Sequence, residues 1–315
     1  MLHNKRHKPP AYHGRGMRDS SPYEPLSRQW LTLEAERLRK RQCMTLCMAA
    51  LCKVTKPNDR IVICGDAWIE TDWAGGNIGF KVSVAGPQLP ALYAGDPSQA
   101  EDLLATSREV FKSNPLKRNT VFDILHDVVS AHKAKLCDRY LQAKLGIPYE
   151  RFLQRGASEI DPDTRNEVFS EVRGLDFGCQ LVISGFIDDQ GFIFYVASDG
   201  RVTRSDDFAV IGSGSLLADA SLFRRDQSRS NSVERTIYNL YEAARLAQIA
   251  PGVGETKTFS VLQGSPNGHG SMGMRVFTGL SALEAIYSQI GPKDMSVDPV
   301  FDDVDYRLIT TAGEP

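Results

Sequence analysis

Apolar and polar positions follow two different periods along this chain, and the period switches in blocks. Leu26, Trp30, Leu33, Ala35 and Leu38 recur at the spacing of one helix face, with Arg and Lys gathering towards Gln42, which predicts a helix over 26–42. Two apolar runs, 45–53 and 60–66, read as strands joined by the polar loop Lys56-Pro57-Asn58-Asp59, a hairpin. Trp73–Gly76 reads as a turn, and 78–84 with 91–94 as a second hairpin around Gly86 and Pro87. Pro97 opens a helix to about Lys112, and a longer helical segment runs from Val121 to about Lys144, ending at Gly146-Ile147-Pro148. Residues 149–175 predict short helices at 149–154 and 166–173, separated by an acidic turn at Asp161-Pro162-Asp163.

Strand periodicity returns after Cys179. Runs 180–187 and 192–197 flank Asp188-Asp189-Gln190-Gly191, a hairpin signal, and Asp199-Gly200 makes the next turn. A short strand at 209–212 leads through a Gly-Ser-Gly-Ser turn into a helix at 216–223. Val233, Ile237, Leu240, Ala243, Ala244 and Ala247 share a face of an amphipathic helix over 232–250. Strands at 257–262 and 274–277 and a helix at 281–289 complete the order. Helices come in consecutive pairs between strand blocks. That excludes one-by-one βαβ alternation and predicts an α+β fold, with antiparallel sheets carrying helix pairs on their outer faces.

Composition narrows the function classes. At 315 residues, with 42% hydrophobic and 24% charged residues, the chain can bury a core. Its formal net charge of −2 argues against a dedicated nucleic-acid binder. The longest uncharged stretches, such as 43–51, fall far short of a membrane span, so no membrane partner is expected. Six cysteines without an export signal point to reduced thiols in a cytoplasm. The first 25 residues are expected to be a disordered tail. They carry Lys5, Arg6, Lys8, Arg15 and Arg18, with Pro9 and Pro10 and few apolar groups to offset ordering. Residues 293–315, with Asp298, Asp302, Asp303 and Asp305, read as an acidic tail. No metal or other cofactor is expected. His3, His7 and His13 lie in the basic tail, and His126, His132 and Cys137 stand six and five residues apart, off a common helix face.

Taken singly, the polar residues of the strand blocks have plain explanations. Thr45 is a good β-former, Asp66 follows an apolar strand where turn residues gather, and Lys81 suits a solvated strand position. Cys43 and Cys47 flank Thr45, and a cysteine there is either a small buried hydrophobe or a nucleophile. Order and spacing add something to these readings. Met44-Thr45-Leu46 leads a strand whose return, Arg60–Asp66, ends in an acid. Phe80-Lys81-Val82 is followed, fourteen residues after Lys81, by Ala94-Gly95. Ile211-Gly212-Ser213-Gly214-Ser215 runs directly into a helix, and Tyr241-Glu242-Ala243 through Pro251-Gly252-Val253-Gly254 leads into a late strand. In this order, over about residues 43–263, the chain resembles the proteasome-type N-terminal nucleophile (Ntn) hydrolases.

The resemblance implies a four-layer α/β/β/α sandwich of two antiparallel sheets between helix layers, spanning 44–292 with an insertion at about 146–178, and a homo-oligomeric ring. Residues 26–43 would be a leader helix or propeptide. The implied activity is threonine-type hydrolysis of peptides or unfolded chains. Thr45 would be nucleophile and, through its freed α-amine, base; Asp66 and Lys81 would tune and orient it, Gly95 would donate to the oxyanion, and Ser213 would support the site. A free α-amine has a pKa near 8, and a neighbouring ammonium lowers it further. Tyr93, two residues before Gly95, would floor the substrate pocket and disfavour large side chains.

The chain departs from the family in three ways: forty-four residues precede Thr45, the segment directly before it reads as a helix, and Ala250–Gly254 lacks the family's aspartate. A chain that started at Met44 would expose Thr45 by ordinary methionine trimming. One that keeps residues 28–42 would be a catalytically silent ring or scaffold subunit, and a small-amide amidase of the same nucleophile class is the third reading.

Overall fold

Strands β1 (Cys47–Lys53) and β2 (Asp59–Asp66) are apolar on both faces because both faces are covered. In the computed structural model Cys47, Ala49 and Leu51 enter a core shared with Leu92, Ala94, Val182 and Ile193 of a second sheet. Met48, Ala50 and Cys52 point the other way, onto a helix-side core. The structure describes residues 45–292 except 54–58, 67, 71–74, 78–80, 115–116, 118–119, 188–189 and 265–272, all within one compact unit. The tails at 1–25 and 293–315, the helix at 26–42, Cys43, Met44 and most of the 56–59 loop lie outside the described residues.

The fold is α+β, with two five-stranded antiparallel sheets and helices. The first sheet has the order β10-β1-β2-β11-β12, where β10 is Phe208–Ile211, β11 Lys257–Gln263 and β12 Gly273–Phe277. The second has the order β5-β6-β7-β8-β9, formed by Val82–Gly86, Leu89–Gly95, Cys179–Ile187, Gln190–Val196 and Val202–Ser205. A small hairpin, β3 (Trp68–Glu70) with β4 (Gly75–Asn77), stands apart from both.

Helices α1 (Pro97–Ser113) and α2 (Val121–Leu145) cover the second sheet: Leu103, Leu104, Leu125 and Val129 pack with Leu181, Ile183 and Phe194. Asp96 caps α1, its Oδ1 accepting from the N–H groups of Ser98 at 2.8 Å and Gln99 at 3.3 Å. Helix α2 stops at Gly146, whose φ of +69° provides the left-handed C-terminal turn. Helices α5 (Ser215–Arg224), α6 (Val233–Ala247) and α7 (Leu280–Ile290) put Leu222, Leu240, Ala244 and Leu283 against the first sheet. Glu242 of α6 is fully buried, yet its carboxyl stays below the usual range. Burial opposes that shift, and hydrogen bonds from Arg225, Arg224 and Tyr238 overcome it.

Residues 146–178 hold helices α3 (Tyr149–Glu159) and α4 (Pro162–Gly174), which build a separate small core from Phe152, Val168 and Val172 against Cys137 and Leu141 of α2. Several expected boundaries move. Asp161-Pro162-Asp163 is a helix start, not a turn: Asp161 accepts from the Thr164 N–H at 3.0 Å and Pro162 takes the first position. Helix α3 runs on to Glu159, past the expected end at Gln154. Gly75-Gly76 lies in β4 where a turn was expected, and the β5–β6 turn falls at Pro87-Gln88. Strand β9 was not anticipated, and Thr45 and Leu46 precede β1 rather than belonging to it. No helix among the described residues is long and apolar enough to cross a membrane.

Candidate active site

The chain enters β1 at Thr45 beside the end of β2. Leu46 C=O accepts from the Asp66 N–H at 3.0 Å, and this pairing holds Asp66 under Thr45. Thr45 Oγ1 donates to Asp66 Oδ1 at 2.5 Å, and Lys81 Nζ donates to Thr45 Oγ1. Lys81 Nζ also lies 3.1 Å from Asp66 Oδ1, closing a triangle of hydroxyl, carboxylate and ammonium. All three residues are buried: Thr45 is 1% exposed, Asp66 0% and Lys81 6%. The other carboxylate oxygen, Oδ2, accepts from the Leu46 N–H at 3.1 Å and the Gly254 N–H at 3.2 Å. Asp66 thus receives four donors, the full acceptor capacity of a carboxylate, and cannot rotate without breaking several at once.

Ser213 lies on the other side of Thr45. The Thr45 N–H donates to Ser213 Oγ at 3.3 Å, and that hydroxyl stands 3.0 Å from the Pro251 carbonyl. The turn carrying Ser213 is drawn tight by Gly212, with φ +100°: a Cβ there would stand 2.2 Å from the Thr45 carbonyl oxygen, so only glycine permits this approach. Gly212 N–H donates to Gln180 Oε1 at 3.1 Å, tying the turn to the second sheet. Gly95 ends β6 with φ +103°, and a Cβ on it would meet the Gly178 carbonyl oxygen at 2.2 Å. The end of β6 faces the start of β1, for the Cys47 thiol donates to the Tyr93 carbonyl at 3.4 Å. The Tyr93 ring is half-buried against the helix-side core.

The residues singled out from sequence therefore converge. Thr45, Asp66 and Lys81 are in direct contact, Ser213 touches the Thr45 nitrogen, and Gly95 closes the strand that faces them. The arrangement holds a hydroxyl between a cation that donates to its oxygen and a carboxylate that accepts its hydrogen bond. Charge developing on Oγ1 meets a fixed positive neighbour in a site that excludes water, the environment in which such a donor has most effect.

Cys47 is a different case. Burial, and the Asp66 charge, push its thiol up to about 12, so it stays protonated and packs as a small apolar group. Among the described residues no cluster of three or more His, Cys, Asp or Glu could hold a metal ion.

Gln180, Gly254 and Lys257 belong to the site and were not singled out. Lys257 is 6% exposed, lies opposite Asp66 in the β2–β11 register, and donates from Nζ to the Gly254 carbonyl. Burial pushes its pKa down, while Asp66 pulls it up. A lysine opening a strand whose core positions are Phe259 and Leu262 was the available signal. No protein-family model matches the chain and no curated protein matches it, so any functional reading rests on the geometry of these side chains.

Proposed function

We propose that the chain is a threonine-type endopeptidase of the proteasome-like Ntn class, a four-layer α/β/β/α sandwich acting on peptides or unfolded chains in the cytoplasm as a homo-oligomeric ring. The observation that carries this reading is Lys81 donating to a Thr45 hydroxyl that itself donates to Asp66. The stacking of helix-side, inter-sheet and helix-side cores supports the sandwich. Large apolar side chains left exposed on α5 (Leu216, Phe223), β12 (Met274, Val276) and α7 (Ile286, Ile290) support association between copies.

In this mechanism the residues before Thr45 are removed. The freed amine, beside Ser213 Oγ, takes the Oγ1 proton as Oγ1 attacks the substrate carbonyl. The ammonium of Lys81 steadies the charge on Oγ1, and the Gly95 N–H receives the oxyanion. The amine's proton passes to the leaving nitrogen as the C–N bond breaks, and water then hydrolyses the ester on Thr45.

A second reading, a catalytically silent ring or scaffold subunit, draws on the 1% exposure of Thr45 in the uncut chain. Turnover of fluorogenic peptides by the purified protein distinguishes the two. The peptidase reading predicts hydrolysis that Thr45→Ala abolishes. Turnover surviving in Thr45→Ala contradicts the nucleophile assignment.

A further inference from the structure

Residues 251–254 form a turn that touches the threonine site at both ends. Pro251 C=O accepts from Ser213 Oγ at 3.0 Å, and the Gly254 N–H donates to Asp66 Oδ2 at 3.2 Å. The turn's own side chains are a proline, a valine and two glycines, one of them, Gly252, at φ +73°. None of these can anchor it by a side-chain hydrogen bond. The anchor comes from three residues downstream, where Lys257 Nζ donates to the Gly254 carbonyl. Register places Lys257 directly across from Asp66, so both side chains leave the same face of the sheet. One residue, Gly254, is therefore held at its carbonyl oxygen by Lys257 while its N–H holds the carboxylate.

We infer that Lys257 is a positioning residue of the threonine site: it clamps the 251–254 turn onto Asp66 and supplies a second cation beside that carboxylate, in addition to Lys81. The role in catalysis rests on the threonine reading proposed above; the clamp does not. A lysine kept only for packing could be exchanged for an apolar side chain of similar length without freeing the 251–254 turn. A clamp cannot be exchanged so, because the Gly254 carbonyl would lose its partner. The charged and titratable groups coupled to Lys257 are Asp66, Cys64, Cys47 and Lys81. Burial holds both thiols protonated, which leaves two ammonium groups around one carboxylate. That surplus of positive charge favours the neutral, basic form of an amine at Thr45.

The test uses the full chain as wild type, Lys257→Met and Lys257→Arg, with hydrogen exchange followed across residues 250–256. Lys257→Met should exchange at Gly254 roughly tenfold faster, as expected for the loss of a supporting hydrogen bond, while the amides of β1 and β2 keep their protection. Lys257→Arg, which retains charge and donor, should exchange like wild type. Labelling of Thr45 by an electrophilic probe should move its pH midpoint upward by roughly half a unit to one unit in Lys257→Met and stay put in Lys257→Arg. Unchanged protection at Gly254 in Lys257→Met overturns the clamp. So does a Lys257→Arg variant that melts like wild type yet loses protection, and this second result decides the matter if Lys257→Met does not fold. A wild-type chain that never labels at Thr45 defeats the threonine reading, and the exchange data still decide the clamp.

Discussion

Removing both members of the buried Asp66–Lys81 pair should cost no more than removing either one. In Lys81→Met the Asp66 carboxylate keeps three donors, from Thr45 Oγ1, Leu46 N and Gly254 N, but loses its contacting cation at zero exposure. Breaking a buried ion pair from one side typically costs about 3–5 kcal/mol, because a charge is left without compensation. Lys257 stands across the strand and offsets part of this, which places the loss near the lower end, about 3 kcal/mol. Asp66→Asn leaves the 6%-exposed Lys81 without a counter-ion and should cost a similar amount, about 3 kcal/mol. With both changes neither charge remains, and the double variant should lose no more than about 3 kcal/mol, a coupling of about 3 kcal/mol. Urea unfolding of the four proteins at pH 7 and one fixed protomer concentration measures this. If the two single losses simply add in the double variant, Asp66 and Lys81 are not an electrostatic pair and the site is misread.

Two further outcomes follow from glycine geometry and from a half-buried acid. Gly212→Ala places a Cβ 2.2 Å from the Thr45 carbonyl oxygen at φ +100° and should cost about 2 kcal/mol or more together with activity, whereas Gly146→Ala, at φ +69° with nothing within 4 Å of the new carbon, should cost only about 1 kcal/mol. Equal losses in denaturant titrations would contradict the claim that Gly212 is there for close approach. Asp219 on α5 has its carboxyl raised to about 6 by burial. The folded state then binds a proton that the unfolded chain, titrating near the ordinary aspartate value of 3.8, has released, so this group's contribution to stability falls as pH rises from about 4 through about 6. Melting temperatures of wild type and Asp219→Asn should diverge over that window, with the variant higher at pH 7; parallel curves would refute it.

Much of the fold could be read from the chain because the strands of the two sheets are apolar on both faces or strictly patterned. Runs such as Cys47–Lys53 and Gln180–Ile187 have no other stable placement than between layers. Strand β9 escaped notice because Val202-Thr203-Arg204-Ser205 has one apolar residue; it exists through pairing with β8, a tertiary effect. The start of α4 was legible in principle, since Asp161-Pro162 is a cap followed by a first-turn proline, but the same pair also reads as a turn. In the site, Thr45, Asp66 and Lys81 were singled out only through the family resemblance that their order carries. Gln180 and Lys257 were not, because each acts on a backbone group, Gly212 N–H across the two packed sheets or Gly254 C=O in the turn just before it. Contacts to backbone carry no residue-type pattern that a sequence reading can detect.

The central claim is that Thr45 is a nucleophile with a free amine, and the mass of the natively expressed protein before and after treatment with a threonine-directed electrophile tests it most directly. The expected result is a chain that begins at Thr45 and gains one probe mass on that residue, with no gain in Thr45→Ala. A chain that retains the residues before Thr45 and takes up no probe would contradict it.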